Sequence, residues 1–153
     1  MEPLRENQQR EGTVVDIPDG IYDLWDDCPF KIAQLELLMV LVALLSEPAK
    51  FRGTRGVWFI DNVAALMAVV RGRSDNPELD HMASMIQAVL FPSQTWMCFE
   101  WIQSKSNWAD GISRYGEQDS WHKRHGFSCR HVAVPLGVWH LPLRGVMRLA
   151  ECL

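Results

Sequence analysis

The sequence predicts an α/β domain in which a sheet is covered by helices, and three observations carry that reading. Two apolar runs, 57–60 and 96–102, are bounded by turn signals and have the length of strands. Segments with helical spacing flank both of them. The order helix, strand, helix, helix, strand, helix is the alternation that builds a sheet between helical layers.

The elements follow in order along the chain. Residues 1–12 are polar and predict disorder. An extended piece at 13–17 runs into Pro18-Asp19-Gly20, a turn sequence. Asp23, Asp26 and Asp27 follow closely, so 1–29 reads as an acidic, weakly structured head. Pro29 precedes a helix over 31–46, which Pro48 ends. Ile32, Leu35, Met39, Val42 and Leu45 recur at helical spacing and define one apolar stripe. Leu37, Leu38, Val40, Leu41 and Leu44 cover most of the remaining surface, so this helix is expected to be buried on most sides. Only Gln34 and Glu36 interrupt it, and Glu36 borders the stripe.

Residues 49–56 form a basic, Gly-containing loop. The run 57–60 then reads as a central, buried strand. Asp61 or Asn62 caps the helix that follows, Val63–Arg71. A loop at 72–76 leads to Pro77, in the first turn of a helix reaching about Phe91. After the strand at 96–102, Asn107 caps a short helix that has Asp110 at its third position, where a carboxylate suits the helix dipole. The core is thus expected over 30–116. Residues 117–153 hold four of the five His together with Trp121, Trp139, Pro135 and Pro142 in no clear period, and read as an irregular tail.

Composition excludes several classes. A chain of 153 residues that is 48% hydrophobic with a net charge of −4 is too apolar to be disordered and has the length of one ordinary domain. The pI near 5.7 argues at first sight against a polyanion partner. That average hides an asymmetry: residues 1–47 hold 3 of the 15 basic and 10 of the 19 acidic groups, so the rest of the chain is net basic. Cys28, Cys98, Cys129 and Cys152 form no CxxC pair and read as reduced thiols of an intracellular protein, cytoplasmic or nuclear. The N-terminus lacks the apolar segment of a secretory signal. The longest apolar run, 37–45, is about half of the ~20 residues that a spanning helix needs, so no membrane partner is expected.

Three acids stand out by position. Glu36 lies in a Leu-rich helix, where a buried carboxylate is costly unless it is paired or binds a cation. Asp61 sits at the carboxyl end of a strand, where open α/β sheets place their ligands. Asp110 lies in the first turn of a late helix. Converging at one end of the sheet, these oxygens suit Mg²⁺, and a pair of such ions ~4 Å apart promotes phosphodiester hydrolysis. Each acid also has a structural alternative: Glu36 reaching solvent or a basic partner, Asp61 and Asp110 capping helices.

The segments KIAQLELLMVLVALL, VWFIDNVAALMAVVRGRS and FEWIQSKSNWADGISRYG resemble the ribonuclease H-like domain of retrotransposon reverse-transcriptase polyproteins. The most specific pieces are Asp61-Asn62 before an Ala-containing helix and Asn107-x-Ala109-Asp110-x-x-Ser113-Arg114. The resemblance implies a mixed sheet flanked by helices and a cluster of four acids holding two Mg²⁺ or Mn²⁺. It also implies cleavage of the RNA strand of RNA–DNA hybrids, within a longer polyprotein. By position Glu36, Asp61 and Asp110 match the second, third and fourth acids and become the expected catalytic and metal-binding residues, while Asn107 and Arg114 match structural or substrate-facing positions. The family's first acid lies on an opening strand followed by two more. The stretch between Asp16 and Phe30 is too short for two further strands of ~5–6 residues with their turns, and Asp16 is a weak substitute. The expectation is therefore an incomplete ribonuclease H-like domain, in which either metal-dependent hydrolysis survives or a non-catalytic nucleic-acid or protein-binding module remains.

Two further groupings are weaker. His122, His125, Cys129 and His131 have the donors for zinc but no recognisable zinc spacing, and read as a solvated basic segment instead. Arg52, Arg55, Arg71, Arg73 and Lys105 are of the right chemistry for phosphates, and Trp58, Trp101 or Trp108 for stacking on bases. Core packing is the preferred role of the tryptophans.

Overall fold

Pro48 cannot extend the Leu-rich helix before it, and the computed structural model shows that helix ending at Ser46. The structure describes residues 10–25 and 31–153. The elements begin with strand β1 (Glu11–Asp16), a helical turn α1 (Asp19–Tyr22), the long helix α2 (Ile32–Ser46) and a second helical turn α3 (Pro48–Phe51). Strand β2 (Arg55–Ile60), helices α4 (Val63–Arg71) and α5 (Pro77–Leu90) and strand β3 (Trp96–Trp101) follow. The rest comprises α6 (Ala109–Tyr115), α7 (Ser120–Arg124), β4 (Ser128–Ala133), α8 (Leu136–Trp139) and α9 (Leu143–Cys152).

Helix α2 is the centre of the core. Leu37, Leu38, Val40, Leu41, Val42 and Leu44 are all buried, and the helix packs against α4 and α5. Each such leucine contributes ~1.5–3 kcal/mol by leaving water. The stripe expected from spacing is not the deepest face: Ile32 is 59% exposed, and Leu35, Met39 and Leu45 are only partly buried. Periodicity chose wrongly because nearly every position of this helix is apolar. Gln34, Leu37, Leu41 and Leu44 are buried along one line, and Leu38, Val40 and the stripe residue Val42 are equally deep.

The α4–α5 pair forms the crossover between β2 and β3, which pair in parallel with Val57 opposite Cys98 and Ile60 opposite Trp101. Local chemistry defines both helices. Asn62 and Asn76 accept hydrogen bonds from the backbone N–H groups of Ala65 and Leu79, each at 3.0 Å, and Pro77 opens α5. Gly72 ends α4 with a left-handed φ of 67°. The expectation of a central, buried β2 is not met. Its residues alternate in exposure, with Val57 and Phe59 more than half exposed and Ile60 buried. A continuous apolar run signals burial on both faces, yet β2 has one neighbouring strand and cover on one face.

Strands β1 and β4 form a separate parallel pair, from Glu11 opposite Ser128 to Asp16 opposite Ala133. The fold is therefore mixed α/β, two small parallel sheets flanked by helices, where a single mixed sheet had been expected. Helix α6 lies over Gly12 of β1; a Cβ there would stand 2.3 Å from the Ile112 side chain. The alternate residue Val15 turns the other way, onto the core that holds α2.

Neither the described part of the head, residues 10–25, nor the stretch 117–153 is the loose appendage that the sequence suggested. In the head, Ile21 and Trp25 are buried in the core, and Pro18-Asp19-Gly20 starts a helical turn. Expectations for residues 1–9 and for Asp26, Asp27, Cys28, Pro29 and Phe30 lie outside the described residues. The stretch 117–153, expected to be irregular, supplies β4 and three helices. Val138, Val146 and Ala150 join the core, and Trp139 meets Trp25 with ring centroids 6.2 Å apart. Its signal was weak because β4 depends on a strand near the other end of the chain. Replacing Val146, which is fully buried where α9 packs on α5, by Asp should lower unfolding free energy by about 3 kcal/mol. Urea titration measures this, and an unchanged midpoint would mean that α9 does not belong to the cooperative fold.

Candidate active-site cleft

Helical spacing places Glu36, Met39, Ala43 and Glu47 along one side of α2, and this side lines a cleft of about 740 Å³. Opposite them, Asp61 follows directly on the buried end of β2, and Asn62 takes over the capping of α4, leaving the Asp61 carboxylate free for the cleft. Asp110 enters from the first turn of α6, preceded by Asn107, whose side-chain oxygen accepts from the N–H of Ala109 at 3.1 Å. All three acids singled out by sequence thus line one cleft.

They are not equivalent. Glu36 and Asp61 stand within hydrogen-bonding reach, and the Glu36 carboxyl is pushed up to about 7. Burial is the largest cause, followed by the negative charge of Asp61 and the hydrogen bond between the two. Below about pH 7 Glu36 holds a proton that it donates to Asp61. Asp110 is engaged elsewhere, accepting from Nε of Arg114 at 3.1 Å one helical turn on. Among the described residues no three His, Cys, Asp or Glu side chains form a group able to hold a metal ion. The structure therefore brings Glu36 and Asp61 together and leaves Asp110 in the same cleft but outside that pair.

Asp16 does not join them: its largely exposed carboxylate faces His131 Nδ1 at 3.3 Å. Instead β1 contributes Glu11, which sequence reasoning missed, as it missed Glu47. Lys50 bridges these two, pairing with Glu11 and with Glu47 at 3.0 Å, and Arg130 of β4 pairs with Glu47 as well. The Lys50 hydrogen bond holds the Glu11 carboxyl below its ordinary range. Glu47 had a signal, since it continues the Glu36, Met39, Ala43 line; Glu11 had none, because only the fold brings β1 to the cleft.

The histidine cluster disperses. Buried His122 pairs through Nδ1 with Asp119 at 2.5 Å, His125 stacks on Trp121 with centroids 4.0 Å apart, and His131 faces Asp16. Cys129 sits on β4 with its thiol pushed up by burial and then by Glu117 and Asp119. Asp119 also accepts from the backbone N–H of His122, so the segment read as solvated is in part a capped, buried turn. Of the tryptophans, Trp58 packs on the core and against Phe51, as favoured from sequence, whereas Trp101 and Trp108 are more than half exposed. Arg52 reaches the backbone carbonyl of Glu151, and Arg71 and Arg73 border a separate hollow around Asp75 and Asp80.

The Glu36–Asp61 pair gives a pH dependence of known sign. Because Glu36 titrates at about 7 in the fold and near its ordinary 4.5 when unfolded, the folded chain binds more protons between those values. Stability from this group is present below ~4.5 and is lost as pH rises through about 7. The thermal midpoint should fall between roughly pH 5 and pH 8, and Glu36→Gln should flatten that decline and raise the midpoint at pH 8; parallel profiles for both proteins would mean that the Glu36 carboxyl is not raised in the fold. Comparison with known protein families, with curated proteins and with solved structures finds no match to this chain.

Proposed function

We propose that this cleft is the reaction centre of a ribonuclease H-like, metal-dependent phosphodiesterase from a retroelement polyprotein, acting on the RNA strand of RNA–DNA hybrids. The observation that carries the reading is the Glu36–Asp61 pair. Two carboxyls from separate elements are held together, partly buried, at the end of a strand, and one of them keeps a proton for want of a positive partner. A divalent cation is the partner that such an all-oxygen donor set suits. The order of Glu36, Asp61 and Asp110 along the chain, with Asn107 and Arg114 around the last, supports the same family.

Glu36 and Asp61 would hold Mg²⁺ or Mn²⁺, with Asp110 on the adjoining wall. Such an ion, when bound, lowers the pKa of an attacking water and neutralises charge on the phosphate. The chain's own residues do the rest. Asp61 accepts the hydrogen bond from Glu36 and keeps that carboxyl facing the cleft. Arg114 fixes the orientation of Asp110. Exposed Trp108, between the cleft-lining Asn107 and Ala109 in sequence and tilted against Trp121 at 5.3 Å, offers a surface for a sugar or base.

A second reading, a binding module that no longer cuts, is favoured by one observation: Asp110 is paired with Arg114, and the acids do not form a group of three. Incubating a labelled RNA–DNA hybrid with the protein and Mg²⁺ or Mn²⁺ separates the two. The first reading expects RNA-strand cleavage that falls by about 100-fold or more in Asp61→Asn. Equal cleavage by both proteins would overturn hydrolysis at this site. Binding without cleavage, weakening steeply with salt, is the outcome expected of the second.

A further inference from the structure

The two sheets do not pair with each other, and one cleft is lined by a strand of each. Among the described residues each strand has a single partner, β4 for β1 and β3 for β2. The cleft is lined by β1 and β2 but by neither of their partners, so it opens on the unpaired edges of both. It also reaches helices of both layers, Met39 and Ala43 of α2 on the core side and Ile112 of α6 on the Gly12 side. A cleft touching both layers and bounded at its sides by two strand edges has the shape of a vacant position in a sheet. Unpaired edges of this kind present rows of backbone donors and acceptors.

We infer that this gap is a docking site for an extended segment of another polypeptide, which adds as a strand between β1 and β2 and joins the two sheets. The occupant's chemistry follows from the walls. Alternate side chains would meet Met39 and Ala43 on one face and Ile112 on the other, so both faces call for small or medium apolar residues. At the end beside Glu36 and Asp61 the wall is acidic, and the lysine that lines the cleft, Lys50, is already bound to Glu11 and Glu47. A Lys or Arg at that end complements it. Main-chain hydrogen bonds to the two edges supply the affinity and the alternating pockets the selectivity. The inference stands on the gap in the sheet and holds whether or not the cleft cuts nucleic acid.

The probe is an acetylated, amidated peptide of about six residues, the usual strand length, alternating Val with Ala and ending in Lys. Calorimetry measures its binding to the full chain, and amide exchange locates it. The expected result is saturable binding with protection rising at least ~10-fold in both 11–16 and 55–60. The same peptide N-methylated at alternate residues should bind at least ~10-fold more weakly, and one ending in Glu should also lose affinity. Ala43→Trp, which fills the gap from α2, should abolish binding while retaining a cooperative melt. Absence of binding, protection of only one strand, or equal affinity for the N-methylated peptide would overturn the inference. So would self-association protecting the same two strands, because the occupant would then be a second copy.

Discussion

The arrangement depends on one constraint: α2 is apolar on almost every side and must be covered on almost every side. Helices α4 and α5 take its deep face, and the α5 surface left over is covered in turn by α9. Burying a helix so completely leaves one narrow line, Glu36 to Glu47, where charged groups can survive. The cleft exists along that line. Its acids are tolerable because the cleft keeps them part-solvated and because Lys50 and Arg130 serve one end of it.

At the other end the electrostatics are unresolved within the chain. Glu36 and Asp61 settle their repulsion by sharing a proton, a compromise that a cation or a basic side chain could replace. Such a pair is a weak contributor to stability above neutral pH, which is the usual condition of a functional site: groups arranged for a ligand are poorly arranged for the empty fold. The whole-chain acidity therefore says little about partners. What matters is that five acids face one cleft with a single lysine among them.

Local chemistry made much of this legible in the sequence. The Asn62 and Asn76 caps, Pro77, Gly72 and Pro48 act within a few residues of themselves, and the helices they delimit are where the sequence places them. Glu36, Asp61 and Asp110 were legible for a related reason, since each stands at a position defined by its own element. The depth of Gln34 was not, because a uniformly apolar helix carries no phase. Neither was the role of 117–153: β4 alternates only faintly, and its pairing with β1 is a property of the whole chain. Glu11 was lost with it, for a residue on an unrecognised strand cannot be assigned to a site.

The β1–β4 pairing has a consequence for how the molecule is made. Asp16 and His131 face each other across a separation of 115 residues. During synthesis β1 leaves the ribosome first of the four strands and its partner last, so for most of translation it has nothing to pair with. Closing so long a loop is slow, and an unpaired strand in a partly folded chain is prone to wrong partners. The α2–α5 core and the β2–β3 pair can assemble from closer neighbours meanwhile. On this account the β1–β4 pairing is a late step, and a nascent chain stopped short of β4 would carry a strand still seeking its mate.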